Sequence, residues 1–356
     1  MIQLYSLGSN GSGKLAIGHT HDVSVPKETL FHDGSLEESP LIISGGNHTL
    51  ALASGALYSC GDARTGACGD TGTDTADCKF HLVRLPEQTR PVTLCAASWE
   101  ATIIVQKDEQ GISNKLYTFG TGNKGELGQG ELIFRSKIHL IKNFPPQGLE
   151  VKHVAGSVCH FIAVLSNGDV YGWGNGRKGQ LGRPEKVVYE PRKITGLNFN
   201  IVHAVCGRDF TCLLGDQKNG RYIILGSDRW GLATLGPPDL RGWKDVGAGW
   251  GSIHVLNLDG SLVSWGRDSN RQLSSLSLPP LEQIAVGSEH SLGLTVDGNV
   301  LAWGWGEHGN CGPVTSENAV ERGWNVIAAS RNLNPGSRIA SIGAGCATSW
   351  ICIEVT

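Results

Sequence analysis

A short apolar run, a polar Asx-Gly pair and a run of alternating polarity recur along this chain. At residues 290–304 the order is HSLGLTV, then Asp297-Gly298, then NVLAWG, and the same order surrounds Asp259-Gly260 and Asn167-Gly168. Two aliphatic or β-branched runs across an Asx-Gly pair predict an antiparallel hairpin, because those turn residues tolerate the positive φ a two-residue turn demands.

The hairpin sits inside a longer unit. VAGSVCHFIAVLSNGDVYGWGNGRKGQLG at 154–182 recurs as AVGSEHSLGLTVDGNVLAWGWGEHGNCG at 285–312 and as GAGWGSIHVLNLDGSLVSWGRDSNRQLS at 247–274. Weaker copies lie at 44–69, 96–128 and 206–233. A seventh is divided between the chain ends: GAGCATSWICIEV at 343–355 supplies its first half and IQLYSLGSNGSGKLAIG at 2–18 its second. Anchor glycines at Gly8, Gly61, Gly120, Gly174, Gly226, Gly266 and Gly304 are separated by 53, 59, 54, 52, 40 and 38 residues. Units of that size, with one split between the termini, predict an all-β propeller of seven blades over residues 1–356, closed by pairing the N- and C-terminal segments. The residue before each anchor (Trp173, Trp265, Trp303, Phe119, Leu225, Leu7, Cys60) is expected to pack between blades.

This repeat also explains a misleading motif. Gly304-x-Gly306-x-x-Gly309 has dinucleotide-binding spacing, but Gly120-x-Gly122-x-x-Gly125 and Gly174-x-Gly176-x-x-Gly179 repeat it at the same place in other copies. A dinucleotide fingerprint needs a strand, a turn and then a helix, and no amphipathic helix follows any of them. The glycines are read as structural. Gly8-x4-Gly13-Lys14 approaches a phosphate loop, yet Leu15 stands where a Mg²⁺-binding hydroxyl belongs. No cofactor is expected.

Composition narrows the class further. Glycine contributes 50 of 356 residues, about 14% and roughly twice the usual share, which implies many tight turns. The 33 acidic and 30 basic side chains give a net charge of −3 without a run of five like charges, which disfavours direct nucleic-acid binding. No 18-residue apolar run or secretory signal is present, so the chain reads as a soluble protein of the cytoplasm and nucleus. Ten cysteines at 60, 68, 78, 95, 159, 206, 212, 311, 346 and 352 show no C-x-x-C or zinc-type Cys/His spacing, so they read as reduced, buried thiols and no metal site is expected.

The free ends of each hairpin lie opposite its turn. The segments leading into the first hairpin strands, around His48, Trp99, Cys159, Asp209, Trp250, Glu289 and Thr348, should therefore share one face of the ring with the loops that leave the second. Tryptophan and arginine on loops of a rigid scaffold favour partner binding. The partner-binding candidates are Trp305, Trp250 and Trp99 as anchors, with Glu307, His308, Arg208, Asp209, His48 and Glu289 around them. Trp305 stands out because other copies carry Asn175, Ser9, Asp62 or Arg267 at its position. His48 and His290 are read equally well as caps for a neighbouring blade. No Ser-His-Asp or Cys-His arrangement can be assembled from spacing, so the chain is not expected to be an enzyme.

The pattern GxxH…LxxDGxVxxWGxxxxGQLG, most complete at 154–182 and 285–312, resembles the repeat of the regulator-of-chromosome-condensation propeller family. The likeness spans nearly the whole chain and is weaker at 70–92, 129–150 and 313–338. WGWGEHGNCGP (303–313), GAGCATSWI (343–351), GWGSIH (249–254) and LGSNGSGKLAIGHTHDVSVP (7–26) are similar to the fungal alpha-tubulin-suppressor branch of that family. That resemblance implies a non-catalytic regulatory subunit in a heterodimer with a small Cys-rich zinc- or iron-binding electron carrier. The pair would support diphthamide synthesis on elongation factor 2 and, through Elongator, tRNA wobble-uridine modification. The alternative the family implies is guanine-nucleotide exchange on a small GTPase. Residues 70–92 are read either as a loop or as part of the contact.

Overall fold

A computed structural model describes the chain except residues 33, 73–76, 88, 274–276, 314–319, 321, 322 and 356. Seven antiparallel sheets follow one another around an axis, and their innermost strands contact in a closed cycle. Blade 6 shows the plan: Leu281–Val286 lies at the axis, followed outward by His290–Thr295, Asn299–Gly304 and Asn325–Ala329. The predicted hairpin is the middle pair. Its turn glycine has φ 74°, and Leu294 pairs with Val300 on either side.

All six residues of His290–Thr295 are buried, as are all six of His160–Leu165. Adjacent blades cover both faces of these strands, so the sequence there reads as a continuous apolar run rather than as an alternation. Outer strands have one free edge and are more exposed: Arg135–Leu140 has every second residue exposed. The weakly repeated stretches at 70–92, 129–150 and 313–338 contain such outer strands, His81–Leu82, Arg135–Leu140 and Asn325–Ala329. Residues 70–92 are mostly loop, as one of the two readings had it, with a two-residue strand at His81–Leu82; residues 73–76 and 88 lie outside the described residues.

Ring closure follows the split repeat. Arg338–Ala344 and Thr348–Glu354 from the C-terminal end pair onto Ile2–Gly8, which pairs outward with Val23–Glu28. The two short anchor spacings, 40 and 38, have a structural counterpart in the blades at 203–226 and 243–266, which have three strands each among the described residues. Too little chain follows Gly226 and Gly266 to supply an outer strand.

Neighbouring blades are tied by the residues before the anchors. Trp173, Trp265 and Trp303 are 0, 5 and 1% exposed, and their indole N–H groups donate to the carbonyls of Glu126, Leu232 and Gln272 of the preceding blade at 2.9, 2.8 and 2.9 Å. Gly304 has φ 98°, and a Cβ there would lie 2.7 Å from the Glu289 carbonyl oxygen. The dinucleotide-like spacing therefore answers a backbone requirement. Among the described residues no helix is long and apolar enough to cross a membrane.

Candidate functional site

At one face of the ring, the turns between first and second strands converge on a narrow channel of about 110 Å³. These turns are joined through the backbone. Gly46 N–H donates to Trp99 O, and Trp99 N–H to Val158 O, both at 2.9 Å. In a second arc Arg208 donates to Trp250 at 3.1 Å, Trp250 to Ser288 at 2.8 Å, and Ser288 to Gly345 at 3.1 Å. At the seam between the C-terminal and first blades, the buried Lys14 ammonium donates to the carbonyls of Gly46 and Cys346 at 2.9 and 2.8 Å. The lysine of the near-miss phosphate loop is thus a structural link, and burial lowers its pKa.

Trp99 and Trp250 come from blades on opposite sides of this mouth, yet their rings meet at 6.0 Å with an interplanar angle of 43°. Each backbone N–H and C=O is engaged by a neighbouring turn, so the indoles project from a fixed base. Gly46 makes room for them: a Cβ at that position would lie 2.6 Å from the Trp99 ring. Trp99 stays 38% exposed, Trp250 is half-buried, and the exposed Arg208 guanidinium lies 5.9 Å from the Trp250 ring centre.

A cavity of about 400 Å³ opens on one side of the pair, between Trp99, Lys124, Glu126 and Arg208. On the other side a cleft of about 160 Å³ is bounded by Arg208, Arg229, Trp230, Trp250 and Arg267. Arg229 and Arg267 lie 4.8 and 5.5 Å from the Trp230 ring centre. The result is a ladder of guanidinium and indole groups suited to carboxylates and apolar side chains. Arg229 and Trp230 were missed by the sequence reading, because the position next to the anchor Gly226 is Ser227 and Trp230 lies three residues further along the loop.

Of the other candidates, Asp209 and Glu289 also line the smaller cleft, while Trp305, Glu307, His308 and His48 lie elsewhere. Trp305 is half-buried and stacks edge-on with His308 at 5.3 Å, while His308 Nδ1 lies 2.7 Å from an Asp22 carboxylate oxygen. Glu307 is exposed beside them, and Asp209 is half-buried next to Arg208. Two candidates are corrected. His48 is 1% exposed and faces the neighbouring blade: its Nε2 is 3.0 Å from Thr102 Oγ1, whose own hydrogen goes to the Ala67 carbonyl, so the imidazole donates. Glu289 is 7% exposed and holds Arg267 and Gln272, so its charge is spent inside the protein.

His160 and His290 repeat the His48 arrangement, facing Thr211 and Ser349 across blade boundaries at 3.0 and 2.9 Å. Burial holds all three well below the ordinary imidazole range, at about 4, with Lys14 adding to the effect at His48. All ten cysteines are free; nine are buried and Cys346 is half-buried. Among the described residues, the side chains that could hold a metal are His32, Asp77 and His81, which lie away from this face at the ring seam.

Comparison with known proteins agrees with the repeat. The Regulator of chromosome condensation (RCC1) repeat matches residues 167–214, and a second profile of that name matches 151–180 and 282–310. An RCC1 repeat-containing protein of Schizosaccharomyces pombe is 31% identical over 382 residues, covering 99% of each chain. The secretion-regulating guanine nucleotide exchange factor of Mus musculus is 26% identical, over 96% of this chain and 82% of its own. Among solved structures, Prp20p of Saccharomyces cerevisiae superposes with a TM-score of 0.83 at 20% identity, over 100% of this chain and 92% of its own. Human WBSCR16 superposes at 0.78 with 16% identity and 99% of both chains.

Proposed function

The chain belongs to the regulator of chromosome condensation repeat family, and from that premise we propose that it is a non-catalytic binding platform whose ring face clamps a protein partner. The observation that carries this reading is the Trp99–Trp250 pair, held open to solvent over the channel mouth with arginines on its flank. Half-exposed indoles on an immobilised backbone make favourable anchors, because little side-chain entropy remains to be lost on binding. The flanking Arg208 and Arg229 suit a partner with an acidic rim.

The proposed partner is the small Cys-rich metal-binding electron carrier implied by the segments at 303–313 and 343–351. In that role the protein is a regulatory subunit in the cytoplasm and nucleus, serving diphthamide synthesis on elongation factor 2 and Elongator-dependent tRNA modification. A second reading, guanine-nucleotide exchange on a small GTPase, is favoured by the mouse exchange factor, which aligns along most of both chains. A pulldown with tagged protein, read by mass spectrometry, separates the two. The first reading expects a stoichiometric small Cys-rich protein, whose affinity falls about 30-fold or more (~2 kcal/mol) in Trp250→Ala or Trp99→Ala. A small GTPase released by added GTP would overturn it in favour of exchange. Unchanged affinity in both variants would remove the site assignment.

A further inference from the structure

On the outer side of the ring seam, the chain leaving the N-terminal strand Val23–Glu28 runs beside the outer strand of blade 1. Phe31 bridges Phe80 in parallel, His32 N–H donates to Phe80 O and Phe80 N–H to Leu30 O, both at 2.8 Å, and the two phenyl rings stack at 5.0 Å. This rail brings together three groups from two distant parts of the sequence. His81 Nε2 lies 2.7 Å from Asp77 Oδ1, His32 Nδ1 lies 3.5 Å from Asp77 Oδ2, and the imidazoles stack at 4.7 Å. One nitrogen of each ring and a carboxylate oxygen all lie within 4.8 Å of one another.

We propose that His32, Asp77 and His81 form a binding site for a late first-row divalent cation, Zn²⁺ in the first instance, which staples the closing blade to the first. Two imidazole nitrogens and a carboxylate are a ligand set that zinc and its neighbours take, whereas calcium and magnesium prefer oxygen alone. With three protein ligands, water completes a four-coordinate shell. Ligand atoms about 2.0–2.2 Å from a common ion lie roughly 3.3–3.6 Å apart in a tetrahedron, and the three ligand atoms here, all within 4.8 Å of one another, reach that spacing by shifts of about an ångström. His81 is 1% exposed and fixes one wall, while the side chains of His32 and Asp77, 40 and 30% exposed, leave a path from solvent. Lys79 Nζ stands 3.9 Å from Asp77 Oδ2 and is the cation that the metal would displace.

Because His32 follows the outer strand of the closing blade and Asp77 and His81 belong to the first, bound metal ties these two blades to each other, and its binding free energy adds to folding. The proposal is independent of the partner reading. The test uses full-length protein without a polyhistidine tag, stripped with EDTA, then titrated with Zn²⁺ by calorimetry and with Co²⁺ by visible absorption. The expected result is one saturable equivalent, a d–d band without thiolate charge transfer, and a Tm raised by about 2 °C or more in excess Zn²⁺. His32→Ala, at an exposed position, should keep the metal-free Tm and lose both signals; Asp77→Asn should also lose them. Absence of saturable binding, thiolate bands, or equal binding by both variants would overturn the proposal.

Discussion

Acidification from pH 7 to pH 5 should remove stability through the buried histidines, and His290 isolates the effect. Its Nε2 meets Ser349 Oγ at 2.9 Å; that hydroxyl gives its own hydrogen to the Asn310 carbonyl at 2.7 Å, so the imidazole is the donor and is neutral in the fold. Burial holds it at about 4, against about 6.5 in the unfolded chain. A depressed histidine contributes its full stability above the unfolded value and loses it as the pH falls toward the folded one, since the unfolded chain binds the extra proton. Linkage gives a loss of about 2 kcal/mol for this group between pH 7 and pH 5. His48, His160 and His254 are also depressed to about 4. His153 and His203 are held at about 4 as well, so all six add to the same loss. Glu126 and Asp245, raised by burial, oppose part of this because they bind protons more readily in the folded state. A single-site comparison removes that background. His290→Gln keeps an N–H donor without a titrating group, so its urea stability, followed by tryptophan fluorescence, should fall between pH 7 and pH 5 by about 2 kcal/mol less than the parent's. Equal losses would refute the reasoning.

Two further predictions concern the links between blades. Trp303→Phe preserves most of the ring but leaves the Gln272 carbonyl without its indole donor, and should lower stability by about 1–3 kcal/mol in urea unfolding; an unchanged midpoint would show that this link carries no stability. Lys14→Met leaves the Gly46 and Cys346 carbonyls without their shared donor and should cost about 1–3 kcal/mol, partly offset by relief of the ammonium's desolvation. A gain in stability in that variant would mean that desolvation outweighs the link.

The local grammar of this chain was sufficient to specify its blades. An Asx-Gly pair between apolar runs closes a hairpin wherever it occurs, and the anchor glycines are required by backbone geometry that a short segment already determines. The split seventh copy likewise showed how the ring closes, since neither half can complete a sheet alone. What lay beyond the sequence was decided by contacts between distant segments. Trp99 and Trp250 carry no signal of each other, because only the curvature of the ring brings opposite turns together. His48 and Glu289 looked exposed because their neighbours in sequence are polar turn residues, yet the following blade holds His48 and the preceding blade holds Glu289. His32, Asp77 and His81 follow no metal-binding spacing, because they meet only where the closing blade packs against the first. Repetition determines each blade, while the environment of a side chain between blades depends on the neighbour that tertiary packing places against it.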